Sequence, residues 1–259
     1  MNPELSYASH SDEAHPEPPP QSFLNRLMGV YFSPSETFQE IGRSPRVVVP
    51  ILAYLLFTIA TVAAFTTRIP MDRLANQRID AAVESGRMTP EAAEKQKEQT
   101  QKILPYLKFA TPFLAGIWSV IVLLVIAGVA KLASMLMGAE NGFKALFSVS
   151  IYATLAVSII GGVLFLILLF IKPVDDFDVD NPLGSNLAAL LTMANVGLSK
   201  FMKVFLSYVD VFYIWKIILL GLGFAAASRK LKPSTALIGS GVIAFLLALV
   251  HASWAALFS

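Results

Sequence analysis

The strongest constraint on this chain is a series of long, nearly uncharged apolar runs, at about 47–66, 112–137, 145–171, 209–228 and 235–257. A helix crossing a hydrocarbon layer roughly 30 Å thick needs about 20 such residues and satisfies every backbone polar group within itself. The chain has 259 residues, 55% of them hydrophobic and 15% charged, with a mean hydropathy of +0.63. A soluble domain carries about a quarter charged residues, so the surplus of apolar side chains has to face lipid. The expected fold class is therefore all-α, an integral membrane bundle of about five transmembrane helices.

Residues 1–22 are polar and proline-rich without periodicity, and are expected to form a disordered tail. Residues 23–259 then make one membrane domain. The segment Phe23–Phe32 is apolar on one side and too short to cross, which predicts an amphipathic helix at the membrane surface. Ser33-Pro34-Ser35-Glu36 supplies an N-cap serine, a proline at the first helical position and a glutamate at the third. That helix is expected to end at Gly42, with Ser44-Pro45 starting the next. Residues 67–110 carry mixed charge and two helical patterns, 71–86 and 90–104, the second closed before Pro105. They predict an extramembrane helical hairpin between spans one and two. Residues 187–206 are apolar but interrupted by Asn195, Gly197, Lys200 and Lys203, and read as an amphipathic surface helix. No apolar core followed by a cleavage site precedes the first span, so no removable signal peptide is expected.

Positive charge in short loops prefers the cytoplasmic side. Arg43, Arg46, Lys144, Arg229, Lys230 and Lys232 fall on one side of this threading, while Asp175, Asp176, Asp178 and Asp180 fall on the other. The expectation is a cytoplasmic N-terminus and, with five spans, an external C-terminus. The 67–110 hairpin opposes it with eight Lys and Arg, interleaved with six acidic residues. Trp118, Trp215 and Trp254 all reach the same leaflet under this threading, as an aromatic belt does.

Cysteine is absent, which removes disulfides, thiolate chemistry and cysteine-ligated metals. A net charge of +2 from scattered residues gives no reason to expect nucleic acid. Asp176-x-Asp178-x-Asp180 has the opening spacing of a calcium loop, but Asn181 and Leu187 stand where glycine and a bidentate glutamate belong. It reads as a solvated acidic loop, and neither a metal nor a cofactor is expected. Lys216 and His251 are ionisable groups inside the fourth and fifth spans, and with Asp210 they form a candidate polar intramembrane cluster. The bland reading is that Lys216 snorkels to the surface and His251 is hydrogen-bonded within the bundle. Glycines at 161–162, 221, 223, 239 and 241 offer close helix approach, within one copy or between copies. No phosphate loop, zinc motif, dinucleotide turn or nucleophile elbow is present, so no enzyme is expected.

Three segments carry a family resemblance: RLMGVYFSPSETFQEIGRSPRVVVPILAY at 26–54, FKALFSVSIYATLAVSIIGGVL at 143–164 and VDVFYIWKIILLGLGFAAASRKLKPSTAL at 209–237. They resemble the YIP (Ypt-interacting protein) family of polytopic membrane proteins, particularly its bacterial branch. The most particular motif is Asp210-Val211-Phe212-Tyr213-Ile214-Trp215, in which Asp210, Phe212 and Trp215 carry the likeness. Leu155-Ala156 stands where family members often have a proline. The resemblance implies five spans, a cytoplasmic tail and no known catalysis, and places the chain in a bacterial cytoplasmic (inner) membrane. The expected role is a non-enzymatic membrane protein that binds or organises an unidentified membrane or soluble partner, or further copies of itself. The alternative is a transporter, channel or lipid-handling subunit with a polar site near Lys216 and His251.

Overall fold

The computed structural model describes residues 21–139, 141–179, 181–228 and 230–258. The expected tail lies outside these residues except for Gln21 and Ser22, and so do Asp180 of the acidic run and Arg229 of the basic link. Among the described residues the fold is all-helical, apart from one isolated bridge between Asn186 and Asp210. Four helices are long and apolar enough to span a membrane: α3 (Val48–Arg68), α5 (Pro90–Leu136), α6 (Phe143–Ile171) and α10 (Pro233–Phe258). The fifth expected span is α9 (Val211–Ala226), apolar but only 16 residues long. At 1.5 Å per residue it covers about 24 Å.

The two short N-terminal helices, α1 (Phe23–Phe32) and α2 (Pro34–Arg43), do not lie apart on a surface. They form a hairpin packed against α6 and α9. Phe38 and Ile41 are fully buried, and the Tyr31 hydroxyl donates to the Ala156 carbonyl at 2.7 Å. A fully buried guanidinium, Arg26, holds the hairpin's open end. It donates through Nε and Nη2 to Glu40 Oε1 at 3.2 and 2.9 Å, and through Nη1 to the Ser44 carbonyl at 2.8 Å. A buried charge needs such partners, because its desolvation is otherwise uncompensated. Those bonds also explain why Ser44-Pro45 does not start α3. Ser44 closes α2 through its N–H on the Glu40 carbonyl, and α3 begins at Val48. At Ser33 the expected helix start holds, but its side chain makes no capping bond.

The expected hairpin between the first two spans is α4 (Met71–Glu84) and the first part of α5. Thr89 caps α5, accepting from the Ala92 N–H at 3.3 Å. The helix does not stop before Pro105. It runs through Pro105 and Pro112 as 47 continuous residues, joining arm and span in one rod. A proline removes one backbone bond and clashes with the preceding turn, which costs a helix about 3 kcal/mol but need not end one with long ladders on both sides. The arm is tied by the Lys97–Asp80 ion pair at 2.7 Å and reaches the 172–181 loop through Arg73–Asp175.

The expected surface helix at 187–206 is two short helices, α7 (Leu187–Met193) and α8 (Lys200–Ser207). Asn195 adopts φ +58°, a left-handed conformation that asparagine tolerates and that ends a right-handed helix. Close packing of α9 depends on two glycines. A Cβ on Gly221 would stand 2.9 Å from the Leu237 Cα, and one on Gly223 would stand 2.3 Å from a Val149 methyl. Gly239 and Gly241, expected to share that role, face open space instead.

Candidate functional site

The polar cluster expected from sequence assembles where α8 turns into α9 against α10. Asp210 caps α9. Its Oδ1 accepts from the Tyr213 N–H at 2.9 Å, and its Oδ2 accepts from the Ser185 hydroxyl. The Leu187 N–H bonds the Val209 carbonyl at 3.0 Å, so the 181–187 loop is stitched to the start of α9. The aspartate of the family motif is thus a folding residue with both carboxylate oxygens engaged.

Lys216 leans back along its helix towards the N-terminus, placing Nζ 4.9 Å from the Tyr213 ring centroid, a cation–π distance. His251, on an exposed face of α10, shares a hydrogen bond of 2.8 Å between Nδ1 and the Tyr208 hydroxyl. The Tyr208 and Tyr213 rings meet edge to face at 5.1 Å. Among the described residues no ion pair joins Lys216 to Asp210. Two tyrosines, which sequence reasoning missed, bridge the three predicted residues.

The other motif residues pack. Phe212 lies against Gly161, and Trp215 lies 5.9 Å from the Tyr31 ring, joining α9 to the N-terminal hairpin. In the acidic loop Asp175 pairs with Arg73, and Asp178 accepts from the Asn181 N–H at 3.0 Å. Among the described residues no group of His, Asp and Glu is placed to hold a metal ion.

Long apolar helices around a core of α6, α9 and the N-terminal hairpin define a multi-pass helical membrane protein. Residues 28–255 match the model of the Yip1 domain, and the chain belongs to that family. No curated protein and no solved structure matches it.

Proposed function

We propose that this Yip1-domain protein is a non-enzymatic membrane organiser, which recruits a protein partner through the α4–α5 arm. The observation that carries this reading is the continuity of α5. Residues 90–105 stand outside the apolar stretch of the same helix, about 24 Å of rod rigidly coupled to a span. An arm built this way transmits a partner's position to the bundle. Charge asymmetry favours a cytoplasmic N-terminus: Arg43, Arg46, Lys144, Lys230 and Lys232 gather at one end, where Gly42 meets Ala227 and the Ser148 hydroxyl donates to the Arg46 carbonyl at 3.1 Å. The acidic 172–178 loop stands at the other. The host on this reading is a bacterial cytoplasmic membrane, with the arm and the C-terminus outside.

The test is a photo-cross-linker at the exposed Arg87 in native membranes. A discrete protein adduct that disappears when the probe is moved to the exposed, apolar Leu132 supports the arm as the docking element. Identical adducts from both positions, or none from Arg87, would remove it. A second reading, a transport or lipid-handling path, is favoured by the Tyr208–His251 and Tyr213–Lys216 pairs near the exposed face of α10. Lys216→Leu/His251→Leu with unchanged solute or lipid flux would leave that reading without its residues.

A further inference from the structure

A hydroxyl inside a membrane helix normally closes on the helix itself, because hydrocarbon offers it no other acceptor. Thr67 and Ser150 do so, donating to the Ala63 and Leu146 carbonyls at 2.7 and 2.9 Å. Thr61 does not. Its Oγ1 is buried and meets no partner among the described residues. Tyr54, Thr58, Thr61 and Phe65 follow one face of α3 at helical spacing. At the inner end of that face the Tyr54 hydroxyl lies among those of Thr58, Ser119 and Ser158. A polar stripe that is satisfied within the bundle therefore ends on an unpaired hydroxyl.

Thr61 lines a groove of about 330 Å³ together with Val62 and Phe65 of α3, Phe165 of α6 and Val179 of the loop that follows. The Phe65 and Phe165 rings lie 6.1 Å apart, and the Phe177 ring meets Phe165 edge to face at 6.0 Å. Two spanning helices set the depth. Thr61 is seven residues before Arg68 at the end of α3, and Phe165 is six before Ile171 at the end of α6, so both lie about 9–10 Å inside. The four apolar walls are partly exposed, and at that depth the groove opens to hydrocarbon. An acyl chain would cover these walls but leave the hydroxyl unpaired, whereas a water would pair it and leave the walls uncovered. A planar ring bearing a carbonyl does both, its face against Phe65 and Phe165 and its oxygen accepting from Thr61. The volume falls at the small end of the roughly 300–1,000 Å³ usual for small-molecule sites, which suits a ring with its tail left outside. We propose that this groove binds the ring of a lipid-soluble, quinone-type molecule, with Thr61 donating to its carbonyl and the tail remaining in the bilayer. The groove shares no residue with the α4–α5 arm or with the Tyr208–His251 pair, so it stands whatever either of them binds.

The full-length protein is reconstituted in phosphatidylcholine/phosphatidylglycerol vesicles and irradiated with an azido-benzoquinone carrying a short alkyl tail, and the labelled peptides are mapped. The expected adduct lies on α3 around Thr61–Phe65 or on α6 around Phe165, and is displaced by excess decylubiquinone but not by the same excess of hexadecane. Thr61→Val, which keeps the shape and removes the hydroxyl, is expected to lower displaceable labelling about fivefold, the equivalent of one net hydrogen bond. Thr61→Ser is expected to retain it. Val62→Trp fills the groove while leaving the hydroxyl in place, and is expected to abolish the adduct. Displacement by hexadecane as effective as by decylubiquinone would make this an acyl-chain groove and overturn the proposal. So would labelling that Thr61→Val leaves unchanged, or an adduct at this place that survives Val62→Trp. No displaceable adduct at all would assign the Thr61 hydroxyl to water or to its own helix, and sinks the proposal equally.

Discussion

At the scale of residues, the most consequential interaction is Arg26 with Glu40. The sequence signal was present: one arginine as the only charge on a mostly apolar ten-residue helix has to find a carboxylate or a carbonyl. What could not be read was the hairpin that brings Glu40 and Ser44 to it, since pairing across a turn depends on how α1 and α2 pack. Arg26→Met leaves a partly buried carboxylate without its partner and is expected to cost about 3 kcal/mol of stability in detergent unfolding. Arg26→Met/Glu40→Gln is expected to recover most of that loss, and a double variant no better than the single would refute the pairing. Asp210→Ala removes the α9 cap at a cost of about 1 kcal/mol, with Asp210→Asn close to wild type in the same assay. The candidate cluster was half legible: hydropathy exposed Lys216 and His251 as misfits, whereas nothing in the hydropathy of Tyr208 and Tyr213 set them apart from other aromatic residues. For Lys97, the Asp80 hydrogen bond raises its pKa above the ordinary 10.5. A raised folded-state value means the contribution is complete below the unfolded pKa and is lost as pH rises through the folded one. Arm protection in hydrogen exchange, corrected for intrinsic rate, is thus expected to be flat through neutrality and to fall only above the normal lysine range.

Among elements, hydropathy located the four long spans and the arm because each depends on length and periodicity within one segment. Boundaries set by tertiary context were less legible. Pro105 was read as a stop because proline disfavours helix locally, yet the ladders on either side carry α5 past it. The 187–206 stretch was read as one amphipathic helix whose apolar run Asn195 interrupts, whereas the left-handed φ of Asn195, which belongs to the fold, divides it into two helices. Glycines divide in the same way. Gly221→Ala is expected to push α9 from α10 and cost about 1–3 kcal/mol, because the new methyl meets backbone. Gly239→Ala is expected to be neutral within about 0.5 kcal/mol, as for other substitutions away from packed features. Equal effects at the two sites would mean that α10 sits differently on α9.

For the whole molecule, the arrangement is a bundle with opposite charge at its ends, a basic rim at the turns before α3, α6 and α10 and an acidic loop beside the rigid arm. The contact of Gly42 with Ala227 places the C-terminal end of α9 at the basic end, and the Val209 carbonyl before its start bonds the Leu187 N–H in the connection that follows the acidic loop, so on this account α9 crosses despite its length. That crossing separates five spans from four and sets which compartment meets the arm. Single cysteines at the exposed Ser85, Asp176 and Ser234, labelled in intact bacterial cells with a membrane-impermeant maleimide, test it directly. The account predicts labelling at 85 and 176 but at 234 only after permeabilisation. Labelling of 234 together with 85 and 176 would mean that α9 does not cross, contradicting the topology described here.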